Sequence, residues 1–217
     1  MRKSVYSLTL ANEVVDRIDH MAYMSNKTRS GLINDILAEY VSLVTPEMRM
    51  RSIIGKIEAM LSGAGELRPA ESRSDTMLTL CSALSYKYNP TVRYSVVLYR
   101  DSSPAIGELR VGFRTQNREL LTCMELFYRA WIQIEEAHIG EGEYRIDNGK
   151  LTRRLILRKN PNAAAKDAET LGELIGEYIR TLDAAMKVFF QAPNSPEVIG
   201  EMERLYRTHL SEKSDIV

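Results

Sequence analysis

The chain has 217 residues, 44% hydrophobic and 27% charged, the ordinary balance of a soluble globular protein with room for one sizeable core or two small ones. No apolar run approaches membrane-spanning length and the N-terminus lacks the apolar segment of a signal peptide, so the expectation is a cytoplasmic protein with no membrane partner. Its 29 basic and 29 acidic side chains cancel, which excludes a uniformly basic nucleic-acid binder and leaves any such role to the distribution of charge.

In chain order, the first element is a short alternating run, Val5-Tyr6-Ser7-Leu8-Thr9-Leu10. Period-two alternation puts Tyr6, Leu8 and Leu10 on one face of a strand and Val5, Ser7 and Thr9 on the other. So short a strand is not stable alone, and its simplest partner is a second copy of itself. A helical pattern begins near Ala11-Asn12, where Val14, Val15, Ile18, Met21 and Ala22 form one apolar stripe. The turn Met24-Ser25-Asn26-Lys27-Thr28 follows. Asn26 tolerates left-handed backbone angles and Thr28 is a good N-cap. Leu32, Ile33, Ile36, Leu37, Tyr40, Val41 and Val44 then give a second helix a broad apolar face, and Pro46 ends it or starts the next one.

This order of strand, helix and helix resembles the ribbon-helix-helix family of dimeric DNA-binding proteins, over residues 1–45 only. The resemblance implies a homodimer in which two leading strands pair antiparallel and enter the major groove of double-stranded DNA. By position, Val5, Ser7 and Thr9 would face base edges, and Thr28, Arg29 and Ser30 would meet a phosphate at the start of the second helix. Arg2 and Lys3 would add charge just before the ribbon. Asn26 stands where the family usually carries glycine. The outward strand positions are small here, where family members often present Lys, Arg or Gln, so specificity would rest on a few contacts and on DNA shape.

Past the second helix, Glu47 to Ser62 reads as a helix and Gly63-Ala64-Gly65 stops it. Glu66 to Asp75 is the best linker. The expected division is therefore 1–45 as the DNA-binding domain, 46–75 as connecting helix and linker, and 76–217 as a C-terminal domain. Thr76 to Lys87 fits either a helix or a strand, and a short helix is favoured. Thr91 to Arg100 and Glu108 to Thr115 alternate as strands. Asn117 caps a long helix to about Ile139. A hairpin follows, turning at Asn148-Gly149, with Tyr144, Ile146, Leu151, Leu155 and Leu157 as its apolar positions. Another long helix spans about Asn162 to Gln191, and a last one restarts after Pro193. The whole reads as α+β: an N-terminal ribbon-helix-helix domain, then a larger domain with a mainly antiparallel sheet and long helices.

Charge is uneven along this order. Residues 1–50 hold 6 basic and 6 acidic side chains, residues 51–159 hold 17 and 13, and residues 160–217 hold 6 and 10. The DNA-binding candidate is thus neutral, which implies modest affinity and a shallow salt slope. The surplus lies in the middle, where the hairpin carries Arg145, Lys150, Arg153, Arg154, Arg158 and Lys159. Such a hairpin suits a solvated face or a charge-guarded sheet edge, and equally a second DNA-backbone contact or an anion-binding surface. Tyr86, Tyr88, Tyr94, Tyr99, Tyr128, Tyr144 and Trp131 suit the edge of a core or the wall of a small-molecule pocket.

Catalytic chemistry finds no anchor. His20, His138 and His209 never share metal-ligand spacing, and Cys81 and Cys123 read as small buried apolar residues in a reduced protein. His138 with Glu135 and Glu136 reads as an exposed helix end. Gly140-Glu141-Gly142 lacks the Lys-Ser/Thr and helix start of a phosphate cradle. The expectation is a non-enzymatic transcriptional regulator, a repressor, without cofactor or metal. Its C-terminal domain would supply higher oligomerisation, or bind a small-molecule or protein effector. Two other readings stay open: an accessory protein of a plasmid or mobile element acting in partition or transfer, and an interaction module that merely dimerises through its N-terminal segment.

Overall fold

The structure, a computed structural model, describes residues 4–62, 67–71, 74–87, 89–100, 105–156, 167–193 and 195–212. Its contacts divide the chain into two units, Met1–Arg49 and Met50–Val217.

In the first unit the leading regular element is helix α1 (Asn12–Met24), followed by α2 (Arg29–Tyr40). Residues 4–10, expected as a strand, form neither strand nor helix in the single chain. The physical reason is pairing. Extended backbone is held by hydrogen bonds to a neighbouring strand, and residues 4–10 find no such neighbour among the described residues of their own chain. The helical pair follows the sequence closely. Asn26 takes the left-handed conformation (φ 51°) in the turn, and the Thr28 hydroxyl accepts a hydrogen bond from the Gly31 amide at 3.1 Å to cap α2. Lys27 and Asp35 pair at 2.9 Å across that turn. The second helix is shorter than its apolar pattern: it ends at Tyr40, and Ser42 then takes a left-handed φ of 54° well before Pro46.

The second unit is an antiparallel sheet with helices on one face. Helix α3 (Pro46–Ser62) leads into it. Then come β1 (Leu67–Pro69), β2 (Met77–Ala83), β3 (Thr91–Leu98), β4 (Ala105–Phe113), α4 (Arg118–Ile139), β5 (Tyr144–Asp147), β6 (Lys150–Ile156), α5 (Ala168–Gln191) and α6 (Glu197–Glu212). The six strands lie in the order β1-β2-β3-β4-β6-β5. Residues 67–69, expected within a linker, thus supply an edge strand.

Residues 77–83, expected as a short helix, form β2. Their side chains bury at period two, Leu78, Leu80 and Ser82 inward, and seven registered pairs from Met77↔Val97 to Ala83↔Thr91 join them to β3. A ladder of that length overrides an ambiguous local preference. The other elements fall where periodicity puts them. Asn117 caps α4 by accepting from the Leu120 amide at 3.2 Å. Asn148 (φ 48°) and Gly149 (φ 71°) make the tight turn between β5 and β6, a turn that favours Asn-Gly because both central residues need positive φ. The α5 residues expected before Asp167, and Leu157, Arg158 and Lys159 of the hairpin, lie outside the described residues.

One sheet face is closed by α4 and α5. Tyr94 on β3 donates to Asp183 Oδ1 on α5 at 2.9 Å, and Tyr128 on α4 donates to the Val111 carbonyl of β4 at 3.0 Å. Tyr94, Tyr128 and Trp131 are therefore core residues and not pocket walls; Tyr88 lies outside the described residues. On α5, Gly172 and Gly176 let α3 approach closely. A β-carbon at Gly172 would stand 2.9 Å from the Ile53 carbonyl, and one at Gly176 would overlap the Met60 methyl. α6 packs its Tyr206 ring edge-on to Trp131. The opposite sheet face carries half-buried and exposed side chains and no helix of the second unit among the described residues.

Candidate nucleic-acid interface

Two surfaces bear on nucleic-acid binding, one in each unit. In the first unit, Val5, Ser7 and Thr9 are all exposed; Val5 is 99% exposed. Arg2 and Lys3 lie outside the described residues. Thr28, Arg29 and Ser30 come together on the first turn of α2, where the first helical bond runs from the Leu32 amide to the Thr28 carbonyl at 3.0 Å. The amides of Arg29 and Ser30 precede that bond, as an anion-binding helix start requires. The Arg29 guanidinium is engaged: it forms a two-point ion pair with Asp19 of α1. Its charge reaches a phosphate only by exchanging that partner.

The apolar surface of this unit is out of proportion to its core. Among the described residues of this unit, only Ala22, Leu32 and Ala38 are buried apolar residues. Fourteen of the sixteen exposed large apolar side chains among the described residues fall between Val5 and Val44; the other two are Leu126 and Ile199. Tyr6 is 84% exposed and Tyr40 88%. A hydrophobic face this broad marks an association surface.

In the second unit the chemistry lies on the uncovered sheet face. Strand register aligns Arg68, Cys81, Arg93, Gly112, Lys150 and Asp147 in one row across all six strands. The next row on that face brings Thr79, Ser95, Arg110, Thr152 and Arg145 together. One end of the face is balanced. Glu108 accepts from Tyr99 at 2.7 Å and from Arg110 at 2.6 Å, and Arg154 donates to Glu143 at 2.7 Å. Burial alone would push the Glu108 carboxyl up. The hydrogen bonds from Tyr99 and Arg110, with the charges of Arg110 and Arg154, outweigh it and hold the group below the usual carboxylate range.

The other end is not balanced. An open basin of about 730 Å³ is lined by Arg93, Arg110, Arg114 and Lys150 with Ser95, Thr115 and Gln116, and by no carboxylate. Arg93, Arg114 and Lys150 make no ion pair among the described residues. Gly112 forms the floor between Arg93 and Lys150. Of these residues, the sequence pointed to Lys150 through the hairpin, and the alternation over Glu108 to Thr115, with Leu109, Val111 and Phe113 inward, turns Arg110 and Arg114 outward. Arg93 escaped it, because only the cross-strand register shows that it shares a row with Lys150.

Arg153, expected to belong to the basic hairpin surface, is instead buried. The alternation along β6 turns Leu151, Arg153 and Leu155 inward and Thr152 and Arg154 outward. Arg153 Nε donates to Glu135 Oε2 of α4 at 3.0 Å, both side chains being shielded from solvent, and its guanidinium lies over the Tyr178 ring at 4.3 Å. Burial opposes its charge, but the Glu135 carboxylate holds it firmly protonated. Glu135 is thus no catalytic partner of His138. His138, expected at an exposed helix end, lies within hydrogen-bond distance of Glu203 on α6 at 2.9 Å. Cys81 and Cys123 are free and half-buried. No helix among the described residues is long and apolar enough to cross a membrane, and no group of three or more His, Cys, Asp or Glu among them is placed to hold a metal ion.

Comparison with protein-family models, with curated proteins and with solved structures finds no match to this chain.

Proposed function

We propose that the chain is a homodimeric, sequence-specific DNA-binding regulator of transcription, a repressor, that reads the major groove with a two-stranded ribbon formed by residues 5–10 of two copies. One observation carries the reading: the concentration of uncovered apolar side chains between Val5 and Val44, on a unit that buries only three apolar residues of its own. A unit with so small a core does not hold a fold by itself. A second copy would cover that surface and give residues 5–10 the antiparallel neighbour they lack. Tyr6, Leu8 and Leu10 would then face the shared core. Val5, Ser7 and Thr9 would face outward, where hydroxyls meet base edges and methyls meet thymine. The Thr28-capped start of α2 adds a phosphate contact on each copy. The uncovered sheet and helices of the second unit would serve further assembly or an effector.

Two measurements test this. Sedimentation of the full chain should give a dimer, and Leu8→Asp should shift it to monomer and abolish the preference for duplexes that the wild type selects from a random pool. Ser7→Ala with Thr9→Ala should leave the dimer intact and weaken binding to those duplexes by about 1–3 kcal/mol for each base-edge hydrogen bond removed. A wild-type monomer, or a double variant that selects the same sequences with unchanged affinity, defeats the ribbon.

A further inference from the structure

The basin on the bare sheet face calls for an anion, and its layout says what kind. Arg93 and Lys150 flank Gly112 from strands on either side of β4, so their backbones stand two strand spacings apart, about 10 Å. Arg114 follows β4 by one residue and lines the same basin. Three cations without ion-pair partners among the described residues, on a lining with no carboxylate, suit a ligand that carries several negative charges. A repeated charge, with a phosphate for each cation, matches them.

The groups between the cations are Ser95, Thr115, Gln116 and Asn148, which are hydrogen-bond partners for phosphate oxygens. Phe113, the one aromatic lining residue, is only 7% exposed. A surface that holds single strands offers open aromatic rings for bases to stack on, and this one offers none. Within the second unit, α4 and α5 pack on the other side of the sheet, and its described residues place no helix on this face.

We propose that the cationic end of the uncovered sheet face, built on Arg93, Arg114 and Lys150 with Arg110 at its border, docks the phosphate backbone of duplex DNA without regard to sequence. Naming DNA as the polymer rests on the regulator reading above; the preference for polyphosphate over other ligands stands on the charges of this face alone. It would give a protein whose reading segment is electrically neutral a non-specific grip on the duplex. Attraction of this kind is what salt weakens, each neutralised phosphate adding about 0.9 to the slope of log affinity against log salt.

The test is fluorescence anisotropy of a labelled random-sequence duplex with the full chain, across about 50–200 mM salt. Wild type should bind. The triple variant Arg93→Gln, Arg114→Gln, Lys150→Gln, checked by circular dichroism for an intact fold, should bind on the order of tenfold more weakly at the low end, with a slope shallower by about 2–3. Lysine at both arginine positions should restore the slope. A control variant removes three ion-paired helix cations, Arg129→Gln, Arg204→Gln and Arg207→Gln, and should leave the slope in place. The proposal falls if wild type ignores the random duplex at low salt, if both triple variants weaken binding equally, or if polyglutamate of matched charge competes as well as DNA. The Ser7→Ala, Thr9→Ala variant separates the two readings: it should lose sequence preference while holding random duplex as wild type does. A failed ribbon thus leaves this result standing, and a failed sheet face leaves the ribbon's result standing.

Discussion

Arg153 is the residue at which charge, burial and alternation meet. Two buried ions at 3.0 Å stabilise the fold only as a pair, because each is stranded without the other. Glu135→Ala should therefore lower stability by about 3–5 kcal/mol, read as a shift of the denaturant midpoint at unchanged slope. Replacing both partners by methionine should recover most of that loss, since neither charge is then buried alone. The burial of Arg153 went unread in the sequence, which grouped it with the basic hairpin surface, although its place between Leu151 and Leu155 in a strictly alternating β6 makes it legible. Its partner was not, because no local pattern ties α4 to β6. Asn26, Thr28 and Asn117 show the opposite case. A left-handed turn or a helix cap is decided within four residues, so the sequence contains the whole argument.

Elements were legible in proportion to how much of their bonding is local. The long helix α4 and the hairpin at Asn148-Gly149 carry their own hydrogen bonds or their own turn, and their spans follow from spacing; α5 ends at Gln191 as expected but starts at Ala168, behind an Asp167 cap that the spacing did not mark. β1 and β2 have no such local bonding. Each exists through its neighbour, and the short apolar run at Met77–Ala83 fits a helix until β3 is laid beside it. Residues 4–10, expected as a strand, show the same dependence: no strand among the described residues pairs with them, and they take no regular structure. Gly107 of β4 meets a tight neighbour on β3 and an irregular register with β6 on its other side. A β-carbon on Gly107 would come within 2.3 Å of the Val97 carbonyl, at the register shift between Ala105 and Gly107. Gly107→Ala should push β4 away from β3 and lower stability by about 1–3 kcal/mol. Hydrogen exchange should show it as faster loss of protection in β3 and β4 than in α6.

For the whole molecule, the two units divide the work of burial unequally. The second encloses a continuous core in which Tyr94, Tyr128 and Tyr178 are held neutral: desolvation drives all three phenols up, with Asp183 adding to the effect at Tyr94. A pKa raised by folding gives stability that is complete below the ordinary phenol value of 10.0 and is lost as pH rises beyond it. Alkaline titration should therefore withhold part of the tyrosinate absorbance until far-ultraviolet circular dichroism collapses. Release of the full absorbance while the helices persist would show these phenols to be accessible. The first unit has no such interior, and its side chains wait for another surface.

The outer strands of the sheet carry one more consequence. β1 is three residues long and ends in Pro69, and β5 is four residues long with Arg145 and Asp147 facing solvent. Rims this brief offer a neighbouring molecule almost no backbone to zip onto, and proline and charge discourage what little there is. Sheet extension from copy to copy is discouraged at both flanks, so any contact between copies would have to be made elsewhere on the surface.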